Sequence, residues 1–271
     1  MPVEQNPVYP YQPALVTRTY GTGKVLVLLH GWGLNSGVWH TVIQPLSKRY
    51  KIITIDLPGF GENRDNCPDD FSLDNIAALL ATCIPPNAVL LGWSLGGLLA
   101  QQIAIQGNNK LAGLITVAST PCFVNKVDWC GIKPSVLTLF EQQLENDYEQ
   151  TLSRFLAIQA LGSPLAKAEI RQLKTIIKHY PEPAITALTG GLKLLSTVDL
   201  RTQINLITVP TLRMYGRLDS LVPAAGIEHI QKLQPNANST IFVDAAHAPF
   251  MSDPDAWLEQ LNNFVASLNV K

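Results

Sequence analysis

Residues 89–100 have the sequence VLLGWSLGGLLA, and this stretch constrains the fold more than any other part of the chain. The apolar residues before Ser94 are typical of a buried strand, and those after it are typical of a helix. Gly92, Gly96 and Gly97 surround the serine, so that backbone can approach it closely in a tight turn. A Gly-x-Ser-x-Gly turn between a strand and a helix predicts a catalytic serine, the nucleophile elbow. The alternative is a structural turn in which Ser94 only caps the helix.

Strand patterns and helix patterns alternate along the chain, which favours a mostly parallel central sheet flanked by helices. The alternation stops between about residues 121 and 197, where the patterns are helical only. We therefore expect an α/β fold with a core formed by residues 1–120 and 198–271. Residues 121–197 are expected to form an all-helical lid inserted between two core strands. The predicted strands are 24–29, 51–56, 89–91, 111–117, 211–215 and 240–243, and the predicted helices are 72–84, 95–106, 134–144, 148–161, 164–179, 183–195, 224–233 and 254–268.

The composition excludes several classes of partner. Apolar residues make up 46% of the 271 residues and charged residues 15%, so the chain can bury a large core. A net charge of −1 provides no overall attraction to nucleic acid or to an anionic membrane, and neither partner is expected. The first 16 residues are rich in proline and lack a secretory signal pattern, so a loosely structured lead-in is expected. The four cysteines show no CxxC spacing, which favours reduced thiols and a cytoplasmic location.

A serine nucleophile needs a base, and the base needs an acid that orients it. His247 lies between the last predicted strand and the last predicted helix, and Asp219 follows the preceding strand. The order Ser94, Asp219, His247 is the one used by folds with this turn, so these three residues are the predicted catalytic triad. Asp244 remains a rival acid because it precedes His247 by only three residues. The other histidines are expected to have structural or solvated roles: His30, His40, His179 and His229.

The oxyanion that forms during acyl transfer also needs hydrogen-bond donors. Leu95 is the first residue of the helix after Ser94, where backbone N–H groups have no partner within the helix. Trp32 lies between two glycines directly after the first predicted strand. We expect the N–H groups of Trp32 and Leu95 to form the oxyanion hole, with the Trp32 ring at the rim of the pocket rather than in the core. This chemistry requires no metal ion and no organic cofactor.

Longer motifs identify a family. The predicted core contains HGWGLNSGVW (30–39), DLPGFG (56–61), GWSLGG (92–97), TVASTPCF (116–123) and AAHAPF (245–250). The predicted lid contains WCGIKP (129–134) and RFLAIQ (154–159), and GGLKLLSTVDLR (190–201) spans its end. Together these motifs resemble the α/β-hydrolase family of pimeloyl-acyl carrier protein methyl ester carboxylesterases of biotin synthesis. The resemblance extends from about residue 24 to residue 264, and its lid motifs are the specific ones because lids diverge most among α/β-hydrolases.

The resemblance implies an α/β-hydrolase fold, the triad named above and hydrolysis of a pimeloyl methyl ester carried on acyl carrier protein. Alternatives on the same scaffold are a broader short-chain carboxylesterase, a thioesterase, a lactonase or a carbon–carbon bond hydrolase, and a further alternative is a non-catalytic binding protein. A monomer is expected. The resemblance also implies that the substrate contacts Ser94, Leu95 and His247, in an acyl pocket lined by Trp32 and by the lid residues Phe155, Leu156, Ala157, Ile158 and Gln159.

The predicted lid is basic. Between positions 154 and 178 there are five basic residues and one acid, Glu169. Four of the cations are spaced four, three and four residues apart, so they share one face of a helix. A solvated face is the alternative explanation, but one sign of charge dominates and would attract an acidic acyl carrier protein. The residues expected to dock the carrier are Arg154, Lys167, Arg171 and Lys174, with Lys178 continuing the same face.

Overall fold

The computed structural model describes residues 14–144 and 146–268, and a seven-stranded sheet runs through its centre. The strand order is β1-β3-β2-β4-β5-β6-β7; β1 pairs antiparallel with β3, and the other neighbours pair in parallel. Parallel pairing brings the carboxyl ends of the inner strands to one edge of the sheet. The strands are β1 (Thr17–Tyr20), β2 (Lys24–Leu29), β3 (Tyr50–Ile55), β4 (Val89–Trp93), β5 (Gly113–Val117), β6 (Thr211–Gly216) and β7 (Asn238–Phe242).

Helices cover both faces of the sheet because side chains along each inner strand alternate between two buried layers. In β2, Val27 and Leu29 join the layer under α2 and α3, whereas Leu26 and Leu28 join the layer under α1 and α10. The helices are α1 (His40–Ser47), α2 (Leu73–Ala81), α3 (Leu95–Gln106), α4 (Pro134–Leu144), α5 (Tyr148–Gln159), α6 (Ala166–Ile177), α7 (Ile185–Thr197), α8 (Ile227–Leu233), α9 (Pro249–Ser252) and α10 (Pro254–Ser267).

The chain leaves the sheet after β5 and returns to it at β6. The described residues between these two strands contribute four α-helices, α4 to α7, and no strand of the sheet. We call these helices the helical insertion. Its residues Leu137, Phe155 and Leu188 are buried in the same apolar cluster as Leu29 and Leu95, so the insertion packs onto the core at the edge where β2 and β4 end.

The six predicted strands are present with ends that differ by at most two residues, and the α/β class is confirmed. The prediction omitted β1, whose sequence TRTY is short and largely exposed. The expected lead-in, apart from residues 14–16, lies outside the described residues. All four cysteines are described and are free thiols. Among the described helices, none is both long and apolar enough to cross a membrane.

Candidate active site

Ser94 occupies a strained turn between β4 and α3. Its φ of 54° lies in the left-handed region, which residues with a Cβ adopt at a cost of about 1–3 kcal/mol. The turn is stabilised by two hydrogen bonds: Ser94 N–H donates to the carbonyl of Val117 at 2.9 Å, and the Ser119 hydroxyl donates to the Ser94 carbonyl at 2.8 Å. A Cβ on Gly92 would collide with the carbonyl of Gly96. Glycine is therefore required there for β4 and α3 to meet at Ser94.

The structure brings Ser94, His247 and Asp219 into one chain of hydrogen bonds. Asp219 Oδ2 lies 2.8 Å from His247 Nδ1, and His247 Nε2 lies 2.8 Å from Ser94 Oγ. Because a carboxylate can only accept, Nδ1 carries the imidazole proton and Nε2 is free to accept the Ser94 hydroxyl. Asp219 Oδ1 accepts the N–H groups of Leu221 and Val222 at 2.8 and 3.0 Å, which fixes the orientation of the carboxylate. All three side chains are buried.

The rival acid, Asp244, lies elsewhere. Its carboxylate is 85% exposed and approaches the Arg217 guanidinium at 4.0 Å. His40, His179 and His229 are exposed on the surface, where the ring of His229 stacks on that of Trp129. The geometry thus favours Asp219 as the partner of His247.

His30 has the structural contacts expected for it. Its Nδ1 lies 2.8 Å from the Gly31 carbonyl, and its Nε2 accepts the N–H of Leu57 at 2.9 Å. Burial lowers the pKa of the His30 imidazole, with the Asp56 carboxylate opposing this shift. The neutral ring therefore connects the loop that carries Gly31 and Trp32 to the backbone at Leu57 through hydrogen bonds.

The predicted oxyanion donors lie on two segments that meet beside Ser94. A Cβ placed on Gly31 would be 3.2 Å from the Cβ of Ser94, so the loop after β2 runs directly past the serine. Within residues 14–144 and 146–268, the N–H groups of Trp32 and Leu95 donate to no protein acceptor. The Trp32 ring is fully buried, which corrects the expected rim position: it packs edge-on against Phe155 and donates from Nε1 to the Leu188 carbonyl at 2.8 Å.

The five predicted pocket residues on α5 do not share one side of the helix. Phe155, Leu156 and Gln159 are buried, and Ile158 is half-buried. Ala157 is exposed, because with about 3.6 residues per turn five consecutive helical residues cannot all face one direction; its place in the pocket stays a prediction. Phe155 contacts Trp32, and the Gln159 carbonyl accepts the N–H of His247 at 3.1 Å.

Two residues beside the site were present in the motifs but received no role from the sequence. Trp93 donates from Nε1 to the His247 carbonyl at 2.7 Å and thus helps to hold the segment that carries this histidine. Ser119 supports the Ser94 turn, as described above. Both contacts join residues from different strand ends, and only the positions of Trp93 at the end of β4 and of Ser119 just after β5 hinted at them.

The basic residues of α5 and α6 are on the surface. Arg154, Lys167, Arg171 and Lys174 are all exposed, and Lys178 follows directly after α6. The only acid between positions 154 and 178, Glu169, is buried. Between positions 154 and 178 the exposed charges are therefore all positive, although exposed acids lie beside them: Asp147, Glu149 and Glu182 line a cavity together with Lys174 and Lys178.

A family model described as alpha/beta hydrolase fold matches residues 24–254, and the chain belongs to this family. Solved structures agree on the fold. An esterase from Exiguobacterium antarcticum superimposes with a TM-score of 0.83 at 22% identity, covering 93% of this chain and 96% of that one. An enol-lactonase from Burkholderia xenovorans superimposes with a TM-score of 0.80 at 18% identity, with 93% and 96% coverage.

Sequence relatives identify the branch of the family. The chain is 46% identical to a pimeloyl-[acyl-carrier protein] methyl ester esterase of Aeromonas hydrophila over 91% of this chain and 97% of that protein. It is 44% identical to the protein of the same name from Serratia marcescens over 94% of this chain and 99% of that protein. Within the α/β-hydrolases, the chain belongs to the family of these esterases.

The buried His30 predicts how stability changes with pH. Because the folded-state pKa of His30 is depressed, the unfolded chain binds the proton more readily below its ordinary pKa of about 6.5. The stability contribution is complete above that pH and is lost as the pH falls, by up to about 1.4 kcal/mol per pH unit. His30→Gln removes the titration, and we expect the free energy of unfolding to fall less steeply between pH 7 and 5 in urea titrations. Equal slopes for the two proteins would contradict this account.

Proposed function

We propose that this protein is a serine carboxylesterase that hydrolyses the methyl ester of pimeloyl-acyl carrier protein to pimeloyl-acyl carrier protein and methanol. The single observation that supports this most strongly is the hydrogen-bonded chain of Ser94, His247 and Asp219 at 2.8 Å per contact. It occurs in a chain whose relatives at 44–47% identity are named for that reaction. Biotin synthesis is the process that this substrate implies.

The first step in the proposed mechanism is acylation. His247 Nε2 accepts the hydroxyl proton as Ser94 Oγ attacks the ester carbonyl, while Asp219 stabilises the imidazolium through Nδ1–H. The tetrahedral intermediate collapses when the C–O bond to the methoxy group breaks. His247 returns the proton to this oxygen, and methanol leaves.

Stabilisation of the oxyanion is assigned to the backbone N–H groups of Trp32 and Leu95. These groups have no protein acceptor in the described residues, and Gly31 and Ser94 hold the two segments side by side. A donor of this kind typically lowers the barrier by about 2.7–4 kcal/mol.

Deacylation repeats the same proton transfers with water as the nucleophile. His247 accepts a proton from water as it attacks the acyl-enzyme carbonyl, and the ester bond to Ser94 then breaks. The proton returns from His247 to Ser94 Oγ, which restores the starting state. These steps use the triad, the two N–H donors and water.

We assign residues 121–197 to a lid over a core formed by residues 1–120 and 198–271. Ser94 is only 1% exposed, and the neighbouring Leu95 packs in one apolar cluster with residues of these helices, so the proposal includes their movement to admit a substrate. Trp32, Phe155, Leu156, Ile158 and Gln159 are proposed to line the acyl pocket. Gln159 supports this placement because both polar atoms of its buried amide have no partner among the described residues.

The acidic acyl carrier protein is proposed to dock on the basic surface of Arg154, Lys167, Arg171 and Lys174. All four side chains are exposed, and the adjacent acid, Glu169, is withdrawn from the surface. Docking there places the carrier outside the lid, so that the distal methyl ester rather than the carrier thioester reaches Ser94. The proposal includes a cytoplasmic, monomeric enzyme.

Replacement of the nucleophile tests the assigned chemistry. Ser94→Ala removes the attacking oxygen, and loss of a triad nucleophile typically costs about 10⁶ in turnover. We expect no measurable hydrolysis of dimethyl pimelate or of the carrier-bound ester, with an unchanged circular dichroism spectrum. Wild-type rates of ester hydrolysis by the Ser94→Ala protein would refute the proposal.

Charge reversal tests the docking surface. Arg154→Glu combined with Arg171→Glu is expected to lower kcat/KM for the carrier-bound ester about tenfold at low salt, because the approach of an acidic partner becomes repulsive. Hydrolysis of p-nitrophenyl esters should be unchanged. Lys48→Glu combined with Arg49→Glu is the matched control, since these exposed residues precede β3 at the opposite edge of the sheet. Equal losses on both substrates, or equal losses in the control, would argue against docking at this surface.

A further inference from the structure

The loops that carry Asp219 and His247 are hydrogen-bonded to the helical insertion at three points. The Ser220 hydroxyl donates to the Ile158 carbonyl at 3.1 Å, and His247 N–H donates to the Gln159 carbonyl at 3.1 Å. The third contact joins two side chains, Ser252 at the end of α9 and Glu169 in α6. The insertion therefore contacts the acid and base segments directly. Side-chain substitutions can remove two of these contacts, and the one at Glu169 restrains the segment that carries the base.

Glu169 lies at the centre of a small buried cluster. Its side chain is only 4% exposed, and its Oε1 accepts the Ser252 hydroxyl at 2.7 Å and the Ser163 hydroxyl at 2.8 Å. Ser163 belongs to the insertion, whereas Ser252 belongs to the core. One carboxyl oxygen thus joins the two parts of the molecule through two short hydrogen bonds.

Ser252 is close to the proposed base along the chain. It ends the single-turn helix α9, which begins two residues after His247. On the core side, the same segment is held by Trp93, which binds the His247 carbonyl, and by Phe250, whose ring lies 4.7 Å from that of Trp39. On the side of the insertion, Glu169 is the polar contact that restrains the end of α9.

We propose that Glu169 is a positioning residue that holds His247 in its reactive orientation through Ser252 and α9. This inference rests on the proposed function, in which His247 is the base. Lys167 and Arg171 lie two residues before and after Glu169 on α6 and point to solvent. An acidic carrier that docks on α6 therefore contacts the same helix that restrains the base. Docking is thereby coupled to the geometry of the triad.

Four variants test the inference: Glu169→Ala, Glu169→Gln, Ser252→Ala and Ser163→Ala. Glu169→Ala and Ser252→Ala break the contact between insertion and core, and we expect kcat for p-nitrophenyl acetate to fall about tenfold, since small displacements of catalytic groups are costly. KM should stay within about twofold. Glu169→Gln keeps an acceptor oxygen and should restore most of the rate. Ser163→Ala is the matched control, because it removes a bond to the same oxygen but leaves the contact with Ser252.

Each kcat is expressed per active site, titrated with a fluorophosphonate probe, so that loss of folded protein does not count as loss of turnover. The double variant Glu169→Ala/Ser252→Ala should be no slower than either single variant, since both remove one interaction. Wild-type kcat in Glu169→Ala and Ser252→Ala, or an equal fall in Ser163→Ala, would overturn the inference while leaving the esterase proposal intact. A wild-type protein without esterase activity would instead overturn the proposed function.

Discussion

The hydrogen bond between His247 and Asp219 is the contact on which the rest of the site depends. It sets the imidazole tautomer, and only the tautomer with the proton on Nδ1 leaves Nε2 free for the Ser94 hydroxyl. The three residues follow β4, β6 and β7, and parallel pairing through β5 brings those strand ends to one edge of the sheet. The fold thus brings the three residues close together, and the loops orient their side chains.

This arrangement requires a strained backbone at Ser94 and the burial of polar side chains around it. Its left-handed backbone is stabilised by hydrogen bonds to Val117 and Ser119, and glycines allow neighbouring backbone to approach. The three polar side chains are buried, which strengthens the electrostatic interactions among them. The insertion is hydrogen-bonded to the segments that carry Asp219 and His247, so its movement and the arrangement of the base are linked in this account.

The sheet and the order of the site residues could be predicted because both depend on local patterns. Apolar strands, the glycines around Ser94 and polar residues after strand ends are all visible in the sequence. Contacts between distant residues were not visible: Glu169 counted as a surface acid, although Ser252, 83 residues away, helps to bury it. The burial of Trp32 likewise depends on contacts with Phe155 and Leu188 from the insertion. The edge strand β1 has no apolar pattern of its own because it is largely exposed. Only its pairing with β3 identifies it as a strand.

The central claim is that His247 makes Ser94 an unusually reactive nucleophile. Peptide mapping by mass spectrometry after reaction with a fluorophosphonate tests this directly, because Ser94 Oγ would displace fluoride from phosphorus as His247 accepts the hydroxyl proton. The account predicts one adduct per chain, on the peptide containing Ser94, and its disappearance in His247→Ala. An adduct on a different residue, or no adduct in a protein that hydrolyses esters, would contradict it.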